Sequence, residues 1–155
     1  MGKTMMDTMM PGFTDRVQQI NTDQVIDQMI VEAISDLSSK NLDITSIAVW
    51  QIKSRTAGID VEMIRQQIIT QLVNSNRHKV VSRQRLEELL SEHRLSLSGT
   101  IDESSATEIG QLIGVEGFID GYASIENERF ILSLNLVETK SGVILWANTI
   151  ERHLD

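Results

Sequence analysis

The run from Arg129 to Arg152 constrains the fold of this chain more than any other segment. Phe130, Leu132, Leu134 and Leu136 alternate with Ile131, Ser133, Asn135 and Val137. A period of two is the signature of a strand with one buried face. Thr139-Lys140-Ser141-Gly142 then supplies a turn, and Val143 to Ile150 reads as a second strand. A third strand is expected just upstream, over about residues 115–125. The connections are short enough for an antiparallel meander. This end of the chain builds a sheet and shows no reactive group.

Helical signals dominate what comes before it. Residues 1–19 read as an irregular tether in which Met1, Met5, Met6, Met9 and Met10 gather beside the single proline, Pro11, and Gly12. Methionines pack adaptably, so this segment is either a flexible lead-in or an apolar stretch suited to a partner. Asn21 has the chemistry of an N-cap, with Gln24 three residues on. Val25, Ile26, Met29, Ile30, Ala33, Ile34 and Leu37 follow at helical spacing. Residues 44–52 are strand-like, and the apolar centre Ile47-Ala48-Val49-Trp50 predicts a strand covered on both faces. Lys53 to Ile59 reads as a polar loop.

Asp60 caps a predicted second helix running to about Asn74, and residues 78–82 form a short strand. Ser82 caps a third helix that turns Leu86, Leu89 and Leu90 to the core. Leu95 to Gly99 is expected to be a loop. Ser105-Ala106-Thr107-Glu108 has the form of a capping box opening a short helix through Ile109, Leu112 and Ile113. Gly114 stands where a C′ glycine ends such a helix. The expected order is α-β-α-β-α-α-β-β-β, an α/β chain with a mixed sheet and helices on both sides of it. No linker or repeat divides residues 20–155, so they are expected to form one domain.

The chain has 155 residues, a formal net charge of -8 and no cysteine. Disulfides, thiolate metal sites and cysteine nucleophiles are therefore excluded. An acidic chain does not supply the basic stripe that nucleic acid demands. The cations Arg77, His78, Lys79, Arg83 and Arg85 are diluted by Glu87, Glu88 and Glu92. No apolar run approaches the ~20 residues that span a bilayer. Residues 1–20 lack the continuous apolar segment of a secretory signal.

Catalytic chemistry finds little support. His78, His93 and His153 are far apart, and none forms the i, i+4 pair that sets two imidazoles on one helix face. There is no Gly-x-Ser-x-Gly elbow. Gly2-Lys3-Thr4 lacks the upstream glycine and strand of a phosphate loop, and the glycines from Gly110 to Gly121 do not keep dinucleotide spacing. Asp102, Glu103 and Glu108 sit at a predicted helix start, where carboxylates suit the helix dipole. Asp120 falls on a strand, on the face of Phe118 and Tyr122, without a recognisable partner base. Trp50 and Trp146 are expected to fill core or interface, since burial of such rings dominates packing. No catalytic, cofactor or metal residues are therefore expected.

Several segments in this order resemble the LpoB-like proteins, within the wider curli-secretion-lipoprotein superfamily (CsgG-like). Ile47 to Thr56 resembles their strand and "asn-arg-thr" loop, with Ser54 in place of asparagine. Val80-Val81-Ser82-Arg83, then Leu86 to Leu90 and Glu92, resembles the superfamily's "val-val-x-arg" helix. Ser98-Gly99, Asp102, Ala106 and Gly114 fit as well. Gly117 to Gly121 resembles a strand with Phe118 at its aromatic position. Leu132 to Trp146 resembles the closing hairpin, with Glu138 for aspartate and Ser141 for threonine. The resemblance spans about residues 21–153, and Trp146 and the Arg55-Thr56 loop favour the LpoB-like branch.

That resemblance implies a non-enzymatic lipoprotein at the periplasmic face of the outer membrane. It implies docking on a bifunctional penicillin-binding protein and a regulatory role in peptidoglycan synthesis. It implies a protein partner, no cofactor, and membrane attachment only through a lipidated cysteine absent from this chain. The alternative is an assembly lipoprotein of a surface organelle or export system. The curli relatives carry membrane-spanning hairpins, and no alternating apolar insertion here would serve as one.

Overall fold

The computed structural model describes residues 13–94 and 103–154. Among these the order is α1 (Phe13–Ser39), β1 (Ser46–Ser54), α2 (Val61–Asn74), β2 (Lys79–Val81), α3 (Arg83–Glu92), α4 (Glu103–Ile113), β3 (Gly117–Glu126), β4 (Arg129–Glu138) and β5 (Ile144–His153). The strands form one mixed sheet in the order β2-β1-β3-β4-β5. β1 runs parallel to both β2 and β3, while β3-β4-β5 is the antiparallel meander. The α/β class and the mixed sheet are as the sequence predicts.

Local chemistry explains most element boundaries. Asp60 Oδ1 accepts the Met63 N–H at 3.1 Å, and Ser82 Oγ accepts the Arg85 N–H at 3.1 Å. Each satisfies one of the unpaired donors at a helix start. At the end of α4, Gly114 adopts a φ of 73°, and the Val115 N–H reaches the Gly110 carbonyl at 3.2 Å. That bond closes a Schellman motif, and glycine occupies its left-handed position without the Cβ penalty.

Three sequence expectations are corrected. The first helix starts at Phe13, not at Asn21, so residues 13–19 are its opening turns and not an irregular lead-in. Residues 14–20 contain no helix breaker, whereas Pro11 and Gly12 precede the start. An asparagine inside a helix costs only tenths of a kcal/mol. α4 likewise begins at Glu103, so Ser105 lies inside the helix. Leu112, on this helix, is 47% exposed. β1 also runs on through Lys53 and Ser54, which the sequence suggested as loop. The methionine-rich stretch 1–12 and the loop at Leu95 to Gly99 lie outside the described residues.

The sheet has an apolar layer on each side. On one face α1 and α2 lay Met29, Ile30, Leu37, Ile64, Ile68 and Leu72 over Ile47, Val49, Ile119 and the β4 row Phe130, Leu132, Leu134 and Leu136. On the other, α3 and α4 bring Leu86, Leu90 and Ile113 onto Ala48, Trp50, Phe118 and Val137. Each large side chain fully removed from water contributes about 1.5–3 kcal/mol. Leu89, expected in this core, is only half-buried.

A polar tie fastens α1 to β5. Asp36 Oδ2 accepts the Trp146 indole N–H at 2.9 Å and the Asn148 amide at 3.1 Å, and Arg152 pairs with Glu32. Trp146 is thus a buried filler whose N–H is satisfied across 110 residues of sequence.

Candidate docking surface

Two features of β1 organise the second face of the sheet. The first is a bulge. Val49 pairs with Ile119 and Gln51 with Asp120, so Trp50 is the extra residue. A bulge sets two consecutive side chains against a single partner position. Ala48 and Trp50 pack under α3 and α4, and Gln51 stands in register with Asp120 on that same face. Arg83, at the start of α3, sends its guanidinium to the carbonyls of Val49, at 3.2 Å, and Trp50. Burial, followed by the nearby charge of Arg65, lowers the Arg83 pKa; Glu87, 3.4 Å away, opposes this. The Val-Val-Ser-Arg motif therefore serves the strand beside it as well as its own helix.

The second feature is the way β1 ends. The Arg55 N–H donates to the Ala123 carbonyl at 3.0 Å, and Thr56 Oγ1 accepts the Ile125 N–H at 3.0 Å. Ser54 Oγ accepts the Thr56 N–H and tightens the turn. Open α/β sheets commonly bind ligands outside the carboxyl ends of their strands, where neighbouring connections diverge. Here the Arg-Thr loop stitches β1 to β3 at that point. Arg55 is left exposed, its guanidinium carbon 4.8 Å from the centroid of the Tyr122 ring. That is cation–π distance, and Arg and Tyr are the residue types that dominate protein-docking energetics.

Register extends the surface across the meander. Lys53, Tyr122, Ser133 and Thr149 form one row; Gln51, Asp120, Asn135 and Ala147 form the next. Ser133 and Thr149 share a hydrogen bond of 3.0 Å. Tyr122, Ser133 and Asn135 are half-buried, and Ala147 and Thr149 exposed. The face is thus apolar under α3 and α4 and polar, with an arginine–tyrosine pair at its border, over β3, β4 and β5.

The candidate catalytic residues are scattered. Asp120 is 5% exposed in the middle of the sheet, among amide and hydroxyl neighbours. Glu108 is exposed on α4; Asp102 and the Glu103 side chain lie outside what is described. His78 Nδ1 is 2.6 Å from the Ile44 carbonyl, His153 lies 3.9 Å from Glu128, and His93 follows the end of α3. Among the described residues no three His, Asp or Glu side chains gather as a metal site. A cleft of about 450 Å³ between the C-terminal ends of α1 and α2 is lined by Val31, Ile34, Ser35, Ser38, Gln71 and Arg77 among others, and its lining includes no carboxylate or imidazole.

The fold defines an α/β protein with a five-stranded mixed sheet and an apolar layer on each of its faces. The family model for the peptidoglycan-synthase activator LpoB matches residues 15–151, and the chain belongs to that family. The family is one of regulators, not enzymes. The LpoB C-terminal domain from Salmonella enterica is 21% identical, with a TM-score of 0.65, covering 80% of this chain and 98% of that one. The corresponding domain from Escherichia coli gives 21%, 0.65, 79% and 97%. The E. coli LpoB solution structure is matched at 21% identity and a TM-score of 0.58, covering 76% of this chain and 64% of that one. At such identity these likenesses establish the fold alone. No curated protein matches the sequence.

No local sequence pattern joins Arg55 to Tyr122; the signal for this pair was the resemblance of the Arg55-Thr56 loop to a family motif.

Proposed function

We propose that this chain is the globular part of an outer-membrane lipoprotein that acts in the periplasm by docking on a bifunctional penicillin-binding protein and stimulating its glycan polymerisation. The observation that carries this reading is the family match across residues 15–151. The polar sheet face bordered by Arg55 and Tyr122 is the docking surface in this proposal. No helix among the described residues is long and apolar enough to cross a membrane. Attachment through a lipid anchor is compatible with that.

The test combines pull-down and glycosyltransferase assays with the same organism's class A penicillin-binding proteins. The wild-type chain should bind one of them and raise its rate. Arg55→Ala removes an exposed side chain and should leave thermal melting unchanged, yet weaken binding about tenfold or more if the pair is a hot spot. A folded wild-type chain that neither binds nor alters the rate of any of these enzymes would reject the reading.

A further inference from the structure

The two edges of the sheet are built differently. An edge strand presents unpaired N–H and C=O groups, and soluble proteins blunt it by shortness, charge, proline, a bulge or a cover. β2 closes one edge with three residues and an exposed lysine, Lys79. β5 closes the other with ten residues, Ile144–His153. It holds no proline and no lysine, and Trp146-Ala147-Asn148-Thr149-Ile150 is uncharged. Its one irregularity, the extra residue Leu145, lies at the start and leaves residues 146–152 in unbroken register with β4. Among the described residues, no backbone hydrogen bond joins 144–152 to any segment but β4. In an antiparallel pair, alternate residues turn their N–H and C=O away from the partner strand. Those of β5 point outward at the edge, next to the exposed side chains of Val143 and Ile144.

We infer that β5 is a strand-addition site, at which an extended, basic segment of the docked protein pairs with the edge and continues the sheet. This rests on the docking reading above and adds a second contact region, continuous with the polar face through Ala147 and Thr149. Main-chain pairing selects an extended segment. The preference for basic side chains follows from α1. Asp36 stands over Trp146 and Asn148, and Glu32 over Arg152, so two carboxylates accompany the strand along its length. Lys40 and Arg152 are their cationic neighbours, yet both carboxylates still reach solvent, with side chains 38% and 51% exposed. Between residues 21 and 39, α1 holds four carboxylates and no cation. An added strand lays every second side chain on the α1 side of the sheet. There lysine or arginine is attracted and glutamate repelled. A second copy of this chain is the other natural occupant of an open edge. It would bring the same carboxylates and a further net charge of -8, and like charge opposes that pairing.

The test uses the full chain and its cognate penicillin-binding protein. Hydrogen exchange of the free chain should show fast and slow amides alternating from 146 to 152, the fast ones being those turned away from β4. On adding the enzyme the fast set should slow by about tenfold or more. Glu32 lies on the α1 side of the sheet, away from the polar face, and its exposed pair with Arg152 adds little stability. Glu32→Lys should therefore melt close to the wild type and weaken binding by about tenfold or more.

A complex in which the fast amides of β5 keep their rates, or that Glu32→Lys does not weaken, overturns the inference alone and leaves the docking reading standing. So does a free chain that sediments as a dimer with those amides already slow, because the occupant is then a second copy. Slow exchange of the same amides in a free monomer would show the edge covered within the chain, and overturns it too. A wild-type chain that binds no such enzyme removes both.

Discussion

Single side chains carry unusual structural responsibility in this protein, and Arg83 carries the most. Its charged bonds to the carbonyls of Val49 and Trp50 cross from a helix start to a strand bulge. Hydrogen bonds to charged groups contribute about 1.5–3 kcal/mol. Arg83→Met should therefore lower stability in urea by about 2–3 kcal/mol and change the near-ultraviolet signal of Trp50. Loss of stability with an unchanged tryptophan signal would show that Arg83 does not shape the bulge. Asp36 is the second such residue. The Trp146 indole, the Asn148 amide and Lys40 hold its carboxyl below the ordinary aspartate value of 3.8. A depressed carboxyl stabilises the fold above its unfolded pKa, and that stability is lost as pH falls through the folded value. The stability gap between wild type and Asp36→Ala should thus be full at pH 6 and shrink as pH falls below about 4. Asp27 has the opposite sign, since burial and then Asp23 raise its pKa. Asp27→Asn should melt higher at pH 7, and the difference should fade in acid. Local residue roles were legible in the sequence: Asp60 and Ser82 cap because a side chain meets an amide three residues away. The roles of Arg83 and Asp36 were not, because their partners lie 34 and 110 residues distant and only the fold unites them.

At the scale of elements, the strands read better than the helix ends. The β4 alternation survived because Phe130, Leu132, Leu134 and Leu136 all enter the large core, where an extra charge has no partner. Leu134→Asp should abolish the cooperative melt, since an unpaired buried carboxylate costs more than the few kcal/mol that hold a domain of this size. A normal melting curve would reject the strand's packing. Helix starts depend on weaker preferences. Asn21 and Ser105 have capping chemistry, yet each lies inside a helix, because capping and interior propensities differ by about 1 kcal/mol and packing outweighs that. The seat of α4 on the meander is sharper. A Cβ placed on Gly110 would lie 2.1 Å from the Thr139 Cβ, and the Thr139 hydroxyl is fixed at 2.6 Å from the Val115 carbonyl. Gly110→Ala should cost about 1–3 kcal/mol as α4 is pushed off the sheet. Thr139→Ala should not rescue it, because the clashing atom is the one alanine keeps. Rescue by that double variant in chemical denaturation would contradict the close approach.

For the whole molecule, the fold class was readable because it depends on the pattern of apolar residues along the chain. The proposed docking surface was not, because Arg55 and Tyr122 come from a loop and a strand that meet only when β1 pairs with β3. The same pairing divides the molecule kinetically. β3, β4 and β5 are joined by turns, so their contacts close short loops. β1 joins β3 only after α2, β2, α3 and α4 have been folded over between them, as in the bond from Thr45 to Glu116, 71 residues apart. Loop-closure entropy grows with the logarithm of length and opposes early formation of that pair. The meander should therefore be structured in the folding transition state and the parallel half should follow. Leu134→Ala, in the centre of β4, should slow folding with a φ-value of about 0.5–0.8. Ile47→Val, fully buried in β1, should mainly speed unfolding, with a φ-value of about 0–0.3. Stopped-flow chevrons of the two variants decide it. If Ile47→Val carries the higher value, the nucleus lies in the strand–helix–strand half, and the surface around Arg55 forms with it and not last.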